Sequence, residues 1–372
     1  MKFKVEPHYW LLLAVPVALV LRLLYAPDLW MFVAACVAVV PLAGLMGRAT
    51  EALADSLGAA AGGLLNATFG NAAELIIALM MLRRGEAMYP MIRASLTGSI
   101  IGNVLLVLGA AILAGGLFHK RQVFNRTAAG LGTTLLALAT IGLLVPTLYY
   151  YVFRAGSAPD EGERRNIESL SVEIAVVLAA VYGLSLLFSL HTHRRVCAPD
   201  DEGAASAGQG HGPDWRRRTA LIVLVAATAG VAVMSEFLVG ALEPAAQVLG
   251  WNEVFVGVIV VAVVGNAAEH STAVMAAVKN RMDLSVTIAV GSSLQVALFL
   301  APVLVFASLL LVPGQPLDLH FTPMEVIAVA TSVGVLALVS HDGESHWLEG
   351  ALLLAVYLIF ALAFYHLPPA AH

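Results

Sequence analysis

Long apolar runs separated by short polar connections make up almost the whole chain, and the runs have the length of membrane spans. A helix needs about 20 mostly apolar residues to cross a bilayer core. Eleven runs meet that measure, at about 9–25, 28–50, 60–82, 89–115, 127–149, 168–190, 219–240, 252–278, 284–312, 323–340 and 346–366. Gly and Ser dilute the third and fourth, which are the least hydropathic. The N-terminal MKFKVEPHYW leads straight into the first run without a small-residue cleavage site, so the first helix is expected to be retained.

Composition agrees with the pattern. A soluble chain would carry about 25% charged residues. Here 12% of 372 residues are charged and 60% are hydrophobic, with a mean hydropathy of +0.86. These values predict an all-α, multi-pass membrane protein whose surroundings are the lipid bilayer. The net charge of −5 lies mostly in connections and points to no nucleic acid. Cys36 sits in a run and Cys197 in a connection, which predicts no disulfide. The chain has no Gly-rich phosphate loop and no HExxH, so it reads as neither an ATP-driven pump nor a zinc hydrolase. No cofactor and no enzymatic activity are expected.

Basic residues set the orientation. With the N-terminus inside, thirteen fall on the cytoplasmic side: Lys2, Lys4, Arg48, Lys120, Arg121, Arg126, Arg194, Arg195, Arg216, Arg217, Arg218, Lys279 and Arg281. Six fall outside: Arg83, Arg84, Arg93, Arg154, Arg164 and Arg165. The bias predicts an N-terminus in and a C-terminus out, although the RRGEAMYPMIR connection runs against it. The longest connection reads as a solvated, flexible linker over about 193–216. His191, His193 and His211 with Asp200, Asp201 and Glu202 offer a weak regulatory cation site there as the alternative.

The runs contain an internal repeat. GNAAE occurs at 70–74 and again at 265–269, 195 residues apart. A second anchor, Gly98-Ser99 and Gly291-Ser292, repeats at an offset of 193. Each pair of anchors falls on consecutive runs, the third and fourth, then the eighth and ninth. The halves are therefore runs 2–6 and 7–11, with five spans each. An odd number of spans inverts the second half. The expected organisation is an N-terminal helix (1–26), a first five-helix repeat (27–192), a cytoplasmic linker (193–216) and a second, inverted five-helix repeat (217–372). Inverted repeats place their sites near the bilayer midplane.

Chemistry sits in the duplicated motif. A carboxylate in a span costs roughly 2.5–3.5 kcal/mol at the membrane centre, so Glu74 and Glu269 call for a functional reason. In a helix Asn71 and Glu74 share a face, as do Asn266 and Glu269. Gly70 and Gly265 permit close approach or a helix distortion that frees backbone carbonyls. Ser95, Ser99 and Asn103 follow on one side, and Ser292, Ser293 and Gln295 on the other. All are hard oxygen donors, which suit Ca²⁺ first and Mn²⁺ next, with Mg²⁺ a poorer fit. Burial and mutual repulsion penalise the doubly charged site, so the two carboxylates titrate as a pair. Ca²⁺ or protons can neutralise it, and the two compete for the same oxygens.

Other acids carry less. Glu51 and Glu236 lie near the ends of runs 2 and 7, either as access sites or as ordinary interfacial carboxylates. Glu173 reads as wet. His270 is a neighbour of Glu269 or a packed neutral histidine. His341, Asp342, Glu344 and His346 read as solvated.

The segments GGLLNATFGNAAELIIAL at 62–79, SLTGSIIGNVLLVLG at 95–109, FVGVIVVAVVGNAAEHSTAV at 255–274 and KNRMDLSVTIAVGSSLQVALFLAPVLV at 279–305 resemble the Ca²⁺/H⁺ exchanger (CAX) family of the cation/Ca²⁺ antiporters. GRATEALA at 47–54 and SHDGESHWLEGA at 340–351 are similar too. The resemblance covers nearly the whole chain. It implies eleven spans, two inverted halves and Ca²⁺ export driven by H⁺ influx. It also implies that Glu74 and Glu269 carry cation and protons, with Asn71, Asn266, Ser99, Asn103, Ser292 and Gln295 around them. It further suggests a homo-oligomer and a bacterial plasma (inner) membrane. Exchange involving Na⁺ or K⁺, a passive channel and a membrane-embedded enzyme remain the other readings of the residues.

Overall fold

The structure is a computed structural model that describes residues 7–57, 59–153, 161–192 and 215–368. His193, Asp200, Asp201, Glu202 and His211 of the linker lie outside the described residues. So does the His191 side chain.

Each of the eleven apolar runs contains helix. In chain order the helices are α1 (Trp10–Leu23), α2 (Asp28–Leu57), α3 (Ala59–Phe69), α4 (Ala72–Leu82), α5 (Glu86–Phe118), α6 (Arg126–Val152) and α7 (Arg165–Leu190). After the linker come α8 (Arg217–Leu249), α9 (Glu253–Gly265), α10 (Ala267–Val278), α11 (Met282–Leu311), α12 (Pro323–Val339) and α13 (Trp347–Tyr365). Seven of them, α2, α5, α6, α7, α8, α11 and α13, are long and apolar enough to cross a membrane. The bent pair α9–α10 adds an eighth if it is one span.

Runs 3 and 8 are not continuous helices, and the helix distortion that Gly70 and Gly265 were read as permitting is present. Run 3 breaks at Gly70-Asn71 and run 8 at Asn266, where the axis bends by 63°. Asn71 (φ −100°, ψ 26°) and Asn266 (φ −94°, ψ 2°) adopt bridge conformations at the N-caps of α4 and α10. A short amide side chain competes for backbone groups, and the Asn266 amide does so by donating to Ala262 O at 2.9 Å. Asn71 and Asn266 therefore stand at the breaks rather than within a continuous face. Run 2 was expected to end at 50 but continues to Leu57. The 83–93 connection is mostly helix, because Gly85 turns the chain at φ +88° and the next helix begins at once. The 340–345 connection is not wholly solvated. Its Glu344–Ser345 strand (β2) pairs antiparallel with β1 (Gln122–Val123), and Ser345 is buried.

Polar contacts between connections sort into two ends of the molecule. At one end, the Gln122 end, Arg217 donates to Ser56 O. Gln122 Nε2 donates to Ala277 O at 2.9 Å, and Asn125 N donates to Asp283. At the other, the Arg93 end, Arg84 pairs with Glu236, Arg93 with Asp318, and Tyr89 donates to Gln315 O. There Asn252 also donates to Leu367 O at 3.2 Å. The connection at 315–322 lies as an extended strap over the Arg93 end. Leu317, Leu319 and Phe321 point inward, and hydroxyls of Ser308, Ser171 and Thr147 hold its backbone.

Small residues let the helices approach closely, as packing in lipid requires. A Cβ on Gly98 of α5 would fall 2.2 Å from Val258 O of α9, and one on Gly257 of α9 would fall 2.8 Å from Met91 O of α5. α5 and α13 meet the same way, since a Cβ on Gly350 would lie 2.3 Å from Leu113 N. α2 and α8 form the broadest helix pair.

Gly98→Ala is expected to destabilise the protein by more than about 3 kcal/mol, because backbone cannot give way as a flexible side chain can. Gly102→Ala, whose Cβ would meet nothing within 4 Å, is expected to be neutral within about 1 kcal/mol. Thermal unfolding of the two purified variants in detergent checks the contrast.

Candidate functional site

The two breaks meet in the middle of the bundle. Each places a glutamate in the first turn of a half-helix, Glu74 in α4 and Glu269 in α10. Anionic side chains are favoured there by the helix dipole. Glu74, Asn71 and Asn266 are buried, and Glu269 is half-buried.

The hydrogen bonds follow one pattern twice. Each glutamate accepts from the serine that follows in its own copy. Ser99 Oγ donates to Glu74 Oε1 at 2.6 Å, and Ser292 Oγ donates to Glu269 Oε2. Each asparagine reaches across to the other copy. Asn266 Nδ2 donates to Glu74 Oε1 and to Ser99 Oγ (3.0 Å), and Asn71 Nδ2 contacts Ser292 O at 3.5 Å. Asn103 Nδ2 donates to Asn266 Oδ1 at 3.4 Å, so it supports the amide. The motif glycines face the opposite copy as well. A Cβ on Gly265 would lie 2.9 Å from Glu74 Cγ, and one on Gly70 would lie 3.2 Å from Gln295 Oε1. Asn71, Glu74, Asn266 and Glu269 of the motifs, with Ser99, Asn103, Ser292 and Gln295 of the spans after them, thus come to one place. Ser95 stands apart, since its Oγ donates to Ile92 O at 2.8 Å. Ser293 likewise turns to Ala289 O.

The charge balance is uneven. Among the described residues no Lys or Arg pairs with Glu74 or Glu269. Gly265 and Asn266, which lead into the turn that carries Glu269, lie against Glu74 and so bring the two acidic turns together. Glu74 Oε2 and Asn71 Oδ1 are buried oxygens without a hydrogen-bond partner, a costly arrangement for a site with nothing to bind. Hard, unpartnered oxygens between two carboxylates fit a hard cation. Neutral, the same site fits protons.

α5 and α11 share a further feature. Both change to π-helical geometry just past the serine, over Gly102–Val107 and Val296–Leu300, and α9 does so over Val256–Val261 before the break. Such bulges cluster at functional sites.

The other acids fall elsewhere. Glu236 pairs with Arg84 at 3.4 Å with both half exposed, and Glu51 and Glu173 are exposed. The His270 Nε2 is buried without a partner, on the residue after Glu269. One buried carboxylate escaped the sequence reading. Glu325 accepts from Thr97 Oγ1 at 2.8 Å and closes a capping box with Thr322. The Thr-Pro-Met-Glu spacing was its legible signal.

Residues 28–191 and 219–366 match the profile of the sodium/calcium exchanger protein family. The chain is 45% identical over 369 residues to a protein of Aphanothece halophytica named Ca(2+)/H(+) antiporter, covering 97% of this chain and 96% of the relative. It is 46% identical over 351 residues to a protein of the same name from Synechocystis sp. (strain ATCC 27184 / PCC 6803 / Kazusa), covering 91% of each. The solved structure of native YfkE superposes with a TM-score of 0.81 at 40% identity, covering 97% of this chain and 100% of that one.

Asn266→Ala removes a donor from Glu74, Ser99 and Ala262 together, and is expected to cost about 1–3 kcal/mol. Asn71→Ala breaks one long contact and is expected to cost less than about 1 kcal/mol. A larger fall in melting temperature for Asn266→Ala than for Asn71→Ala is the result to look for.

Proposed function

The chain belongs to the sodium/calcium exchanger protein family and, within it, to the Ca²⁺/H⁺ exchangers, and on that premise we propose that it exports Ca²⁺ against H⁺ by alternating access, with Glu74 and Glu269 as the shared binding groups. The observation that carries the reading is a pair of carboxylates with no basic partner among the described residues, one of whose oxygens, Glu74 Oε2, is buried and unpartnered there along with Asn71 Oδ1.

Ca²⁺ takes six to eight oxygens at about 2.3–2.6 Å. Glu74, Glu269, Asn71, Asn266, Ser99, Ser292 and Gln295 supply candidates, and the breaks after Gly70 and Gly265 can add backbone carbonyls. Asn103 holds Asn266 in place. Ca²⁺ is the cargo here, and protons are its competitor. A doubly charged empty site is strongly disfavoured in a low-dielectric interior, so the protein changes sides only when Ca²⁺ or protons have neutralised it. That restriction couples the two flows. No third acid joins the pair from α5 or α11, where Ser99, Asn103, Ser292 and Gln295 stand, which favours H⁺ over Na⁺ as the counter-ion.

We further propose eleven spans in two inverted five-helix halves, residues 27–192 and 217–372, joined by a linker at 193–216. The crossed contacts support this, because Asn266 meets Ser99 of the first copy and Asn71 meets Ser292 of the second. The helix contacts support it too. α5 packs on α10 and α13, and α11 packs on α4 and α7. The two-ended sorting of connections agrees with eleven alternating spans. It also accounts for the arginines that ran against the orientation, since Arg84 and Arg93 are ion-paired. With the Gln122 end in the cytoplasm, the N-terminus is inside and the C-terminus outside.

The test is ⁴⁵Ca²⁺ uptake into proteoliposomes with an imposed pH gradient. Uptake should need the gradient, ignore Na⁺ and fall to background in Glu74→Gln and Glu269→Gln. Uptake driven by Na⁺, or surviving both substitutions, would remove the reading.

A further inference from the structure

Two acid–base pairs occupy matched places in the two copies, and only one of them is joined. Arg84 stands ten residues after Glu74, just past the end of α4, and Lys279 stands ten residues after Glu269, at the end of α10. The matching acids lie on α2 and α8. Met46, Ala49 and Thr50 of α2 are buried in the same register as Val231, Met234 and Ser235 of α8, 185 residues on, so Glu51 and Glu236 are equivalents as well. α4 packs on α8, and α10 packs on α2. Exchange of the copies therefore maps Arg84–Glu236 onto Lys279–Glu51.

The first pair sits at the Arg93 end and the second at the Gln122 end, since Lys279 follows Ala277, the acceptor of Gln122. Arg84 Nη2 meets Glu236 Oε1 at 3.4 Å, with both side chains half exposed. Among the described residues Glu51 and Lys279 form no ion pair, and both are exposed. Arg48, one turn back on α2, is the cation near Glu51 in this state. A Cβ on Gly240, one turn past Glu236, would fall 3.2 Å from Arg84 Nη2, so the guanidinium lies across that glycine. The equivalent of Gly240 is Asp55, which offers Lys279 a second carboxylate on the Glu51 face of α2.

Half-exposed ion pairs contribute little stability and separate readily. That suits a contact that opens in every cycle and makes a poor permanent strut. Each pair also spans the same kind of boundary. On one side is a half-helix that carries a motif glutamate, and on the other is a member of the broad α2–α8 pair.

We propose that the two pairs are alternating latches. Arg84–Glu236 holds α4 against α8 and keeps the Arg93 end shut, which is the state seen here. Lys279 with Glu51 and Asp55 holds α10 against α2 and shuts the Gln122 end in the opposite state. None of these residues carries cargo; each is a positioning residue that sets which end is closed. The inference rests on alternating access by this exchanger.

The experiment uses the full-length protein with Cys36→Ala and Cys197→Ala, in proteoliposomes, and a short bifunctional thiosulfonate that reductant reverses. In Arg84→Cys/Glu236→Cys, cross-linking is expected to lower pH-gradient-driven ⁴⁵Ca²⁺ uptake about tenfold or more, with reduction restoring it to within about twofold of the same variant before cross-linking. In Glu51→Cys/Lys279→Cys, the rate of cross-linking is expected to rise about threefold or more when Arg84→Gln is added, because weakening a contact of one state shifts the population to the other. Uptake that survives the Arg84→Cys/Glu236→Cys cross-link would overturn the latch, since the pair would then stay joined through the cycle. A Glu51→Cys/Lys279→Cys rate unchanged by Arg84→Gln would overturn the alternation. That rate needs no transport, so it decides the matter even in variants that transport poorly. Wild-type protein that fails to couple uptake to the pH gradient would instead overturn the functional reading beneath it.

Discussion

Two carboxylates brought together in a low-dielectric interior repel each other and lose their water, and everything else in the bundle answers that penalty. Desolvation alone would cost several kcal/mol per ion. Among the described residues no positive side chain pairs with either glutamate to offset it. The protein supplies dipoles instead: a half-helix N-terminus under each glutamate, a serine hydroxyl for each, and the Asn266 amide on Glu74. Dipoles reduce the cost without cancelling the charge. The remaining charge is left for a mobile ion, which is what a carrier requires and what a structural ion pair would abolish.

The helix breaks follow from the same need. A continuous helix satisfies all of its own backbone groups and offers none to a cargo. Breaking at Asn71 and Asn266 turns the middle of each span into a helix start and aims the first-turn glutamate inward. The glycine just before each break lets the opposite copy come within contact distance, as Gly265 does against Glu74. The crossed amides then tie the two copies to each other's serines. The symmetry is incomplete. Asn266 makes several bonds and Asn71 makes one long contact, so Glu74 is enclosed and Glu269 is partly open. An exchanger that alternates between two faces would trade these roles between the copies.

Much of this was legible in the residues. The repetition of GNAAE, and of Gly-Ser some two dozen residues later, picked out polar residues that the fold brings together. The length of the apolar runs located the helices, because runs of span length leave little choice of structure in a bilayer. The breaks were only half legible: Gly70 and Gly265 allowed a distortion, but Ala-Ala-Glu and its neighbours form helix readily and a single Asn seldom stops one. What stops them is tertiary: the amides have partners across the interface. The pairing of Arg84 with Glu236 and of Arg93 with Asp318 was hidden for the same reason. The short β pairing of Gln122 and Ser345 joins connections far apart in sequence that no local pattern could relate.

Competition between Ca²⁺ and protons for one pair of carboxylates is the centre of the account, and proton release on binding measures it directly. Ca²⁺ can be titrated calorimetrically into purified protein in buffers of different ionisation enthalpy, at a pH where the empty site is protonated. Wild type should release protons with each Ca²⁺ bound, and Glu74→Gln and Glu269→Gln should each release fewer. Tight Ca²⁺ binding with no proton released would contradict the account, because the two ions would then occupy separate groups.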